Sequence, residues 1–225
     1  MIVWVLVERG LTGTLNQALG VCDALGATPV IKQFTLRQPW RALSPYINLG
    51  INHGYDGDAL NQPWPDVLIA GGRKAIGLAL WVKRASGDKT FTVCLQDPRT
   101  HRKGFDLIAV PAHDPSRGSN VLVTAAAPNR ITPGRLALAR QTWEGSFAHI
   151  KSPRVAVLVG GNSKAYSLNA LTTSSLGEHL KHLADKDVGL MITTSRRPSA
   201  DNLSILQSTQ KDTSAYERDG KSENT

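Results

Sequence analysis

The chain has 225 residues and a mass of 24.3 kDa, with 41% hydrophobic and 20% charged residues and a formal charge of +8. At roughly 150 residues per domain, that length exceeds one domain without filling two. The proportions exclude a disordered or fibrous chain, and apolar stretches such as residues 76–82, broken only by Gly77, are too short to span a bilayer.

The first seven residues, Met-Ile-Val-Trp-Val-Leu-Val, carry no basic segment and no small-residue cleavage site, so no secretory signal is expected. Residues 2–7 read as a buried strand that feeds a loop at Glu8-Arg9-Gly10. Thr14 with Gln17 forms a capping-box pattern, which predicts a helix starting there and stopping at Gly26. Residues 29–34 read as the second strand, which makes a βαβ unit and implies parallel strands. The segment 39–65, with Trp40, Trp64 and several prolines, reads as a short helix and a loop.

Alternation then resumes. Residues 66–70 predict a strand, 72–84 a helix that is apolar nearly all round and so buried, and 90–95 a strand. Residues 105–110 and 120–124 predict two more strands, and Thr132-Pro133 opens a helix running to about Phe147. Lys151-Ser152-Pro153 reads as a linker between a first domain, 1–150, and a partial second, 154–197. In that second part, strands at 155–159 and 188–194 flank a helix at 168–183. Residues 208–225 offer only Ala215 and Tyr216 as apolar material, so this polar tail (198–225) is expected to supply no strands and to be poorly ordered. The fold class expected is α/β: a Rossmann-like parallel sheet domain plus a partial second one.

Ligands of open parallel sheets bind beyond the carboxyl ends of the strands. The candidates at those positions are Gly13, Asn16 and Gln17 after the first strand, and Gly71, Gly72 and Arg73 after the strand at 66–70. Gln96 and Asp97 follow the strand at 90–95, and His113 the strand at 105–110. Gly160, Gly161, Asn162 and Ser163, then Ser195 and Arg196, occupy the same positions in the second half. Glycine pairs let backbone N–H groups approach an anion, and Arg73 could clamp a phosphate. Neither loop matches the dinucleotide or Walker pattern, and a glycine pair also serves as a plain tight turn. Asp97 could act as a general base or orient His113, but Asp97-Pro98 is also a turn signature.

Eight basic residues stand between Arg73 and Lys103 against Asp88 and Asp97. The stretch is either a solvated face or a surface for a phosphate, a protein partner or an anionic membrane. The motifs of specific nucleic-acid modules and the serine-hydrolase elbow are missing from the sequence. Cys22 and Cys94 lie far apart in apolar contexts and the histidines lack acidic or cysteine partners at ligand spacing. No metal and no cofactor are expected, and a reducing cytoplasm suits the cysteines.

Several segments together resemble one family. They are residues 3–7 with 16–20, residues 65–73 (Pro-Asp-Val-Leu-Ile-Ala-Gly-Gly-Arg), residues 89–98 (Lys-Thr-Phe-Thr-Val-Cys-Leu-Gln-Asp-Pro) and residues 120–124. To these are added residues 155–163, ending Gly-Gly-Asn-Ser, and residues 192–197, Ile-Thr-Thr-Ser-Arg-Arg. Over most of residues 1–197 the chain is similar to the mitochondrial fission family founded on the plant elongated-mitochondria protein, which also occurs widely in bacteria. The resemblance implies a glycosyltransferase-B-like architecture, two Rossmann-like halves with a cleft that would bind a nucleotide sugar or a phosphorylated sugar. For plant members it implies instead an adaptor that recruits dynamin-related protein at the cytosolic face of mitochondria, with Trp40, Trp64 and the basic stretch 73–103 as the contact surface. Two departures stand out: the loop Arg9-Gly-Leu-Thr-Gly13 is unlike the family's usual one, and Asp219–Asn224 resembles the point where relatives enter the middle of their second half. The chain is therefore expected to be truncated there and inactive as a transferase.

Overall fold

The computed structural model describes residues 1–160, 167–194 and 215–218. Strand β1 (Val3–Glu8) lies near the centre of a seven-stranded sheet, and its residues explain why. Trp4 and Leu6 join one core cluster while Val3 and Val5 join another, so the strand is covered on both faces. A parallel sheet with helices on both sides requires that continuous apolar run. Strand β2 (Val30–Leu36) pairs parallel with one edge of β1, and β3 (Tyr55–Gly57) closes that side antiparallel to β2. On the other edge follow β4 (Val67–Gly71), β5 (Phe91–Leu95), β6 (Leu107–Pro111) and β7 (Val121–Thr124), all parallel, in the order β3-β2-β1-β4-β5-β6-β7.

Helix α1 (Thr12–Ala24) covers one face through Ala18 and Cys22. The short α2 (Trp40–Leu43) belongs to the segment that wraps the opposite face, where α3 (Ile76–Ala85) lies buried through Ile76, Gly77, Leu78, Ala79, Leu80 and Val82. A Cβ at Gly77 would collide with Asn48 and Ile51, so the missing side chain is what lets α3 approach that segment. Trp64 packs between Trp4 and Trp81, with ring centroids 6.3 and 5.9 Å away. Trp40 donates its indole N–H to the Leu49 carbonyl at 2.7 Å and packs against the same core. Trp40 and Trp64 are thus core-packing residues, not the exposed contact residues expected; the segment bearing them folds back over α3.

Three further expectations are corrected. Helix α1 begins at Thr12, with Leu11 at the N-cap and no side-chain capping bond, so the Thr14/Gln17 capping box does not open it. Gly10, at φ +82, reverses the chain directly after β1, and helical geometry starts before Thr14 is reached. The segment 39–65 supplies strand β3 as well as a helix, because Gln33, Phe34 and Leu36 at the β2 edge remain to be paired. The tail does supply a strand, β10 (Ala215–Arg218), which pairs parallel with Leu190–Thr193.

The chain divides into two compact units, Met1–Thr132 and Pro133–Thr225, so the division precedes the linker expected at 151–153. The second unit contains α4 (Pro133–Trp143), β8 (Arg154–Val159), α5 (Ala170–Ala184) and β9 (Gly189–Thr194), with a parallel sheet ordered β10-β9-β8. Its own core is Val159, Leu180, Leu190 and Ile192. Asn169 caps α5 by accepting the Thr172 N–H at 2.9 Å.

Candidate functional site

The strand order reverses direction between β1 and β4, because the chain leaves β1 toward β2 and later returns on the other side. At such a switch point the connections diverge and open a crevice at the carboxyl ends of the strands. Gly72 lies there at φ +87, a conformation that suits glycine alone. A Cβ on it would stand 3.6 Å from Leu11 Cδ1, 3.8 Å from Gln96 Nε2 and 3.9 Å from Thr14 Cγ2. Gly71 is closer still, with its Cβ position 2.7 Å from Thr14 Cγ2. The crevice therefore unites the start of α1, the Gly71-Gly72 pair and Gln96.

Two features bear on its chemistry. The first N–H groups of α1 have no side-chain cap, so the positive end of the helix dipole is left open to an anion. Gln96 has φ +156, rare for a residue with a side chain and costing about 1–3 kcal/mol. The Cys94 thiol donates to the Gln96 carbonyl at 3.3 Å and helps to hold that backbone. Glu8, at the end of β1, pairs with Lys74 Nζ at 2.9 Å, half-buried beside the same loop. In the sequence the pair is marked only by a carboxylate directly after an apolar strand and a lysine directly after Arg73, and no local pattern joins the two. Arg73 itself is exposed. Gly13 lies in the first turn of α1; Asn16 is exposed and Gln17 half-buried in the next.

Asp97 is buried and held from several directions. It accepts the Arg99 N–H at 2.9 Å and the Arg102 guanidinium at 3.2 Å, with the Ser116 hydroxyl beside it. Burial would raise its pKa, but those partners outweigh burial and hold the carboxyl below its ordinary value. His113 is exposed in the turn after β6, and among the described residues no hydrogen bond joins it to Asp97. Gly160 follows β8 and is exposed, whereas Gly161, Asn162, Ser163, Ser195 and Arg196 lie outside the described residues.

A second concavity, about 790 Å³, lies between the C-terminal half of α3 and residues 99–104. Lys83, Arg84, Arg99, His101, Arg102 and Lys103 line it together with Asp88. No helix among the described residues is long and apolar enough to cross a membrane.

The geometry defines a doubly wound α/β protein with a polar crevice at its topological switch point. The family model for mitochondrial fission ELM1 matches residues 12–225, and the chain belongs to that family. The mitochondrial fission protein ELM1 of Arabidopsis thaliana is 28% identical over 120 residues, which cover 43% of this chain and 28% of that protein. The chain thus matches less than a third of the length of this relative. Among solved structures, MurG of Acinetobacter baumannii superposes with a TM-score of 0.48 at 14% identity, covering 97% of this chain and 65% of that one.

Proposed function

We propose that the first unit binds the phosphate of a nucleotide sugar or phosphorylated sugar in the switch-point crevice, on a glycosyltransferase-B-like scaffold. The observation that carries this reading is the uncapped start of α1 facing Gly72 and Gln96. Free N–H groups at a helix start stabilise an anion, and Gly72 leaves room for it to approach the backbone. Arg73 stands next in the chain, where a guanidinium can reach a phosphate oxygen. Asp97, with its carboxyl already held by Arg99 and Arg102, serves here to shape the loop after β5, and His113 is the group left to move a proton.

Calorimetric titration of the chain with uridine and guanosine diphosphate sugars tests this. Binding that Arg73→Ala weakens and Gly72→Val abolishes is expected. No heat with any of them, or binding indifferent to both substitutions, overturns it.

A second reading, an adaptor that receives a protein partner at a mitochondrial surface, draws on a different observation. Tyr46, Ile47 and Leu49 are 60%, 52% and 88% exposed in one short segment, a run of apolar surface suited to a partner. Pull-down from a eukaryotic extract with Ile47→Asp and Leu49→Asp tests it, and an unchanged set of captured proteins rejects it.

A further inference from the structure

We propose that the basic concavity beneath α3 is a second anion site, separate from the switch-point crevice, which takes a ligand carrying clustered phosphate groups. Its walls come from two segments on either side of β5: Lys83 and Arg84 from the last turn of α3, and Arg99, His101, Arg102 and Lys103 from the segment after β5. Cations at a helix C-terminus are ordinary, since they complement its dipole. That accounts for Lys83 and Arg84 but not for the cations converging from the other wall.

Two of these cations, Lys83 and Arg102, are already paired with carboxylates, and among the described residues the others are not. Asp106 is turned to Lys83 Nζ at 2.7 Å and to the Thr92 N–H and hydroxyl at 2.7 and 2.9 Å. Asp97 is committed to Arg102 and to the Arg99 N–H. Arg84, Arg99 and Lys103 are exposed and meet no carboxylate among the described residues, and Asp88 is the one acid left on the lining. Like charges gathered in one concavity repel one another, and a bound polyanion would relieve that repulsion.

The loop is held in this arrangement. Arg99 and His101 adopt φ +62 and +55, and Asp88 on the facing wall +58, each costly for a residue with a side chain. The Asp97 carboxylate fixes the first bend through the Arg99 N–H. The His101 ring lies 3.3 Å from the Tyr46 carbonyl, which ties the far end to the segment 46–49. Asp97 is thus a positioning residue for this site. A volume of about 790 Å³ accommodates a ligand the size of an inositol phosphate or tripolyphosphate.

The test is calorimetric titration of the whole chain with inorganic tripolyphosphate at physiological salt. The variant carries Arg84→Ala, Arg99→Ala and Lys103→Ala, all exposed and outside the core. Its control, Arg41→Ala, Arg140→Ala and Lys181→Ala, removes the same charge elsewhere. Binding weakened about tenfold or more by the first set and retained by the second is expected. Absence of binding, or equal loss in both sets, overturns the proposal.

A parallel arm sediments the chain with phosphatidylcholine vesicles, with and without phosphatidylinositol bisphosphate. Phosphoinositide-dependent retention lost in the first variant assigns the phosphates to a lipid headgroup. No retention, with tripolyphosphate still bound, assigns them to a free ligand; retention that survives the substitutions counts against the site. Arg73→Ala removes an exposed charge beside the crevice and the triple variant removes charges at this cleft, so the two sites fail independently.

Discussion

Asp106 shows how much one carboxylate can hold together. It joins the end of α3, through Lys83, to β5, through the N–H and hydroxyl of Thr92. Burial opposes its charge, yet Lys83 and Thr92 outweigh burial and leave its pKa lowered; Asp97 is lowered in the same way. A carboxylate whose pKa is depressed by folding contributes stability above its unfolded value, near 4, and loses it as pH falls through the folded value. Stability should therefore drop below about pH 4. Asp106→Asn should cost about 1–3 kcal/mol at neutral pH, by leaving Lys83 and Thr92 poorly partnered, and should flatten the acid limb. Urea unfolding of both proteins at several pH values checks this, and an unchanged acid slope would rule out Asp106 as a source of it.

The cysteines make a separate prediction. Both are free and buried, and burial pushes the Cys94 thiol up to about 12. Since the thiolate is the reactive form, neither should react with a disulfide reagent in the native protein, and both should react on unfolding. Rapid labelling of either in the native state would show that its surroundings open far more readily than this packing allows.

Among the elements, the alternating strand and helix patterns were legible because both faces of the sheet are covered. Trp4 and Leu6 on one face and Val3 and Val5 on the other gave β1 an unbroken apolar run, and α3 was apolar all round for the same reason. What escaped the sequence depended on partners distant in the chain. Nothing local marks Tyr55–Gly57 as a strand; its pairing with β2 makes it one. The start of α1 was misplaced because a good capping pattern at Thr14 competes with a backbone reversal at Gly10, and the reversal comes first. The Gly71-Gly72 pair was visible as a motif, but its proximity to Gln96 was not, since 24 positions separate Gly72 from Gln96 in the chain. Close approach makes its own prediction. At Gly20, in α1, an added Cβ would strike the Asn129 backbone carbonyl. Backbone yields less readily than a flexible side chain, so Gly20→Ala should destabilise by about 1–3 kcal/mol despite alanine's better helix propensity. A gain in thermal stability from that substitution would mean that the segment near Asn129 gives way freely.

At the scale of the whole molecule, the two units keep separate cores. Neither cluster of the first unit includes a residue beyond Val121, and the cluster of the second runs from Val157 to Ile192. Among the described residues the two cores differ in size. The first unit buries side chains on both faces of its sheet, whereas Val159, Leu180, Leu190 and Ile192 are the buried residues of the second unit's cluster. A small aliphatic cluster offsets less of the conformational entropy lost on folding than a core that covers both faces of a sheet. Urea should therefore unfold the chain in two steps, the weaker belonging to residues 133–225. A fragment of residues 1–132 should unfold in a single cooperative transition at the midpoint of the stronger step. Far-ultraviolet circular dichroism on the two proteins decides it. One shared transition in the whole chain, with a fragment that fails to fold cooperatively, would mean that the first unit depends on the second and that separate cores do not make separate folding units.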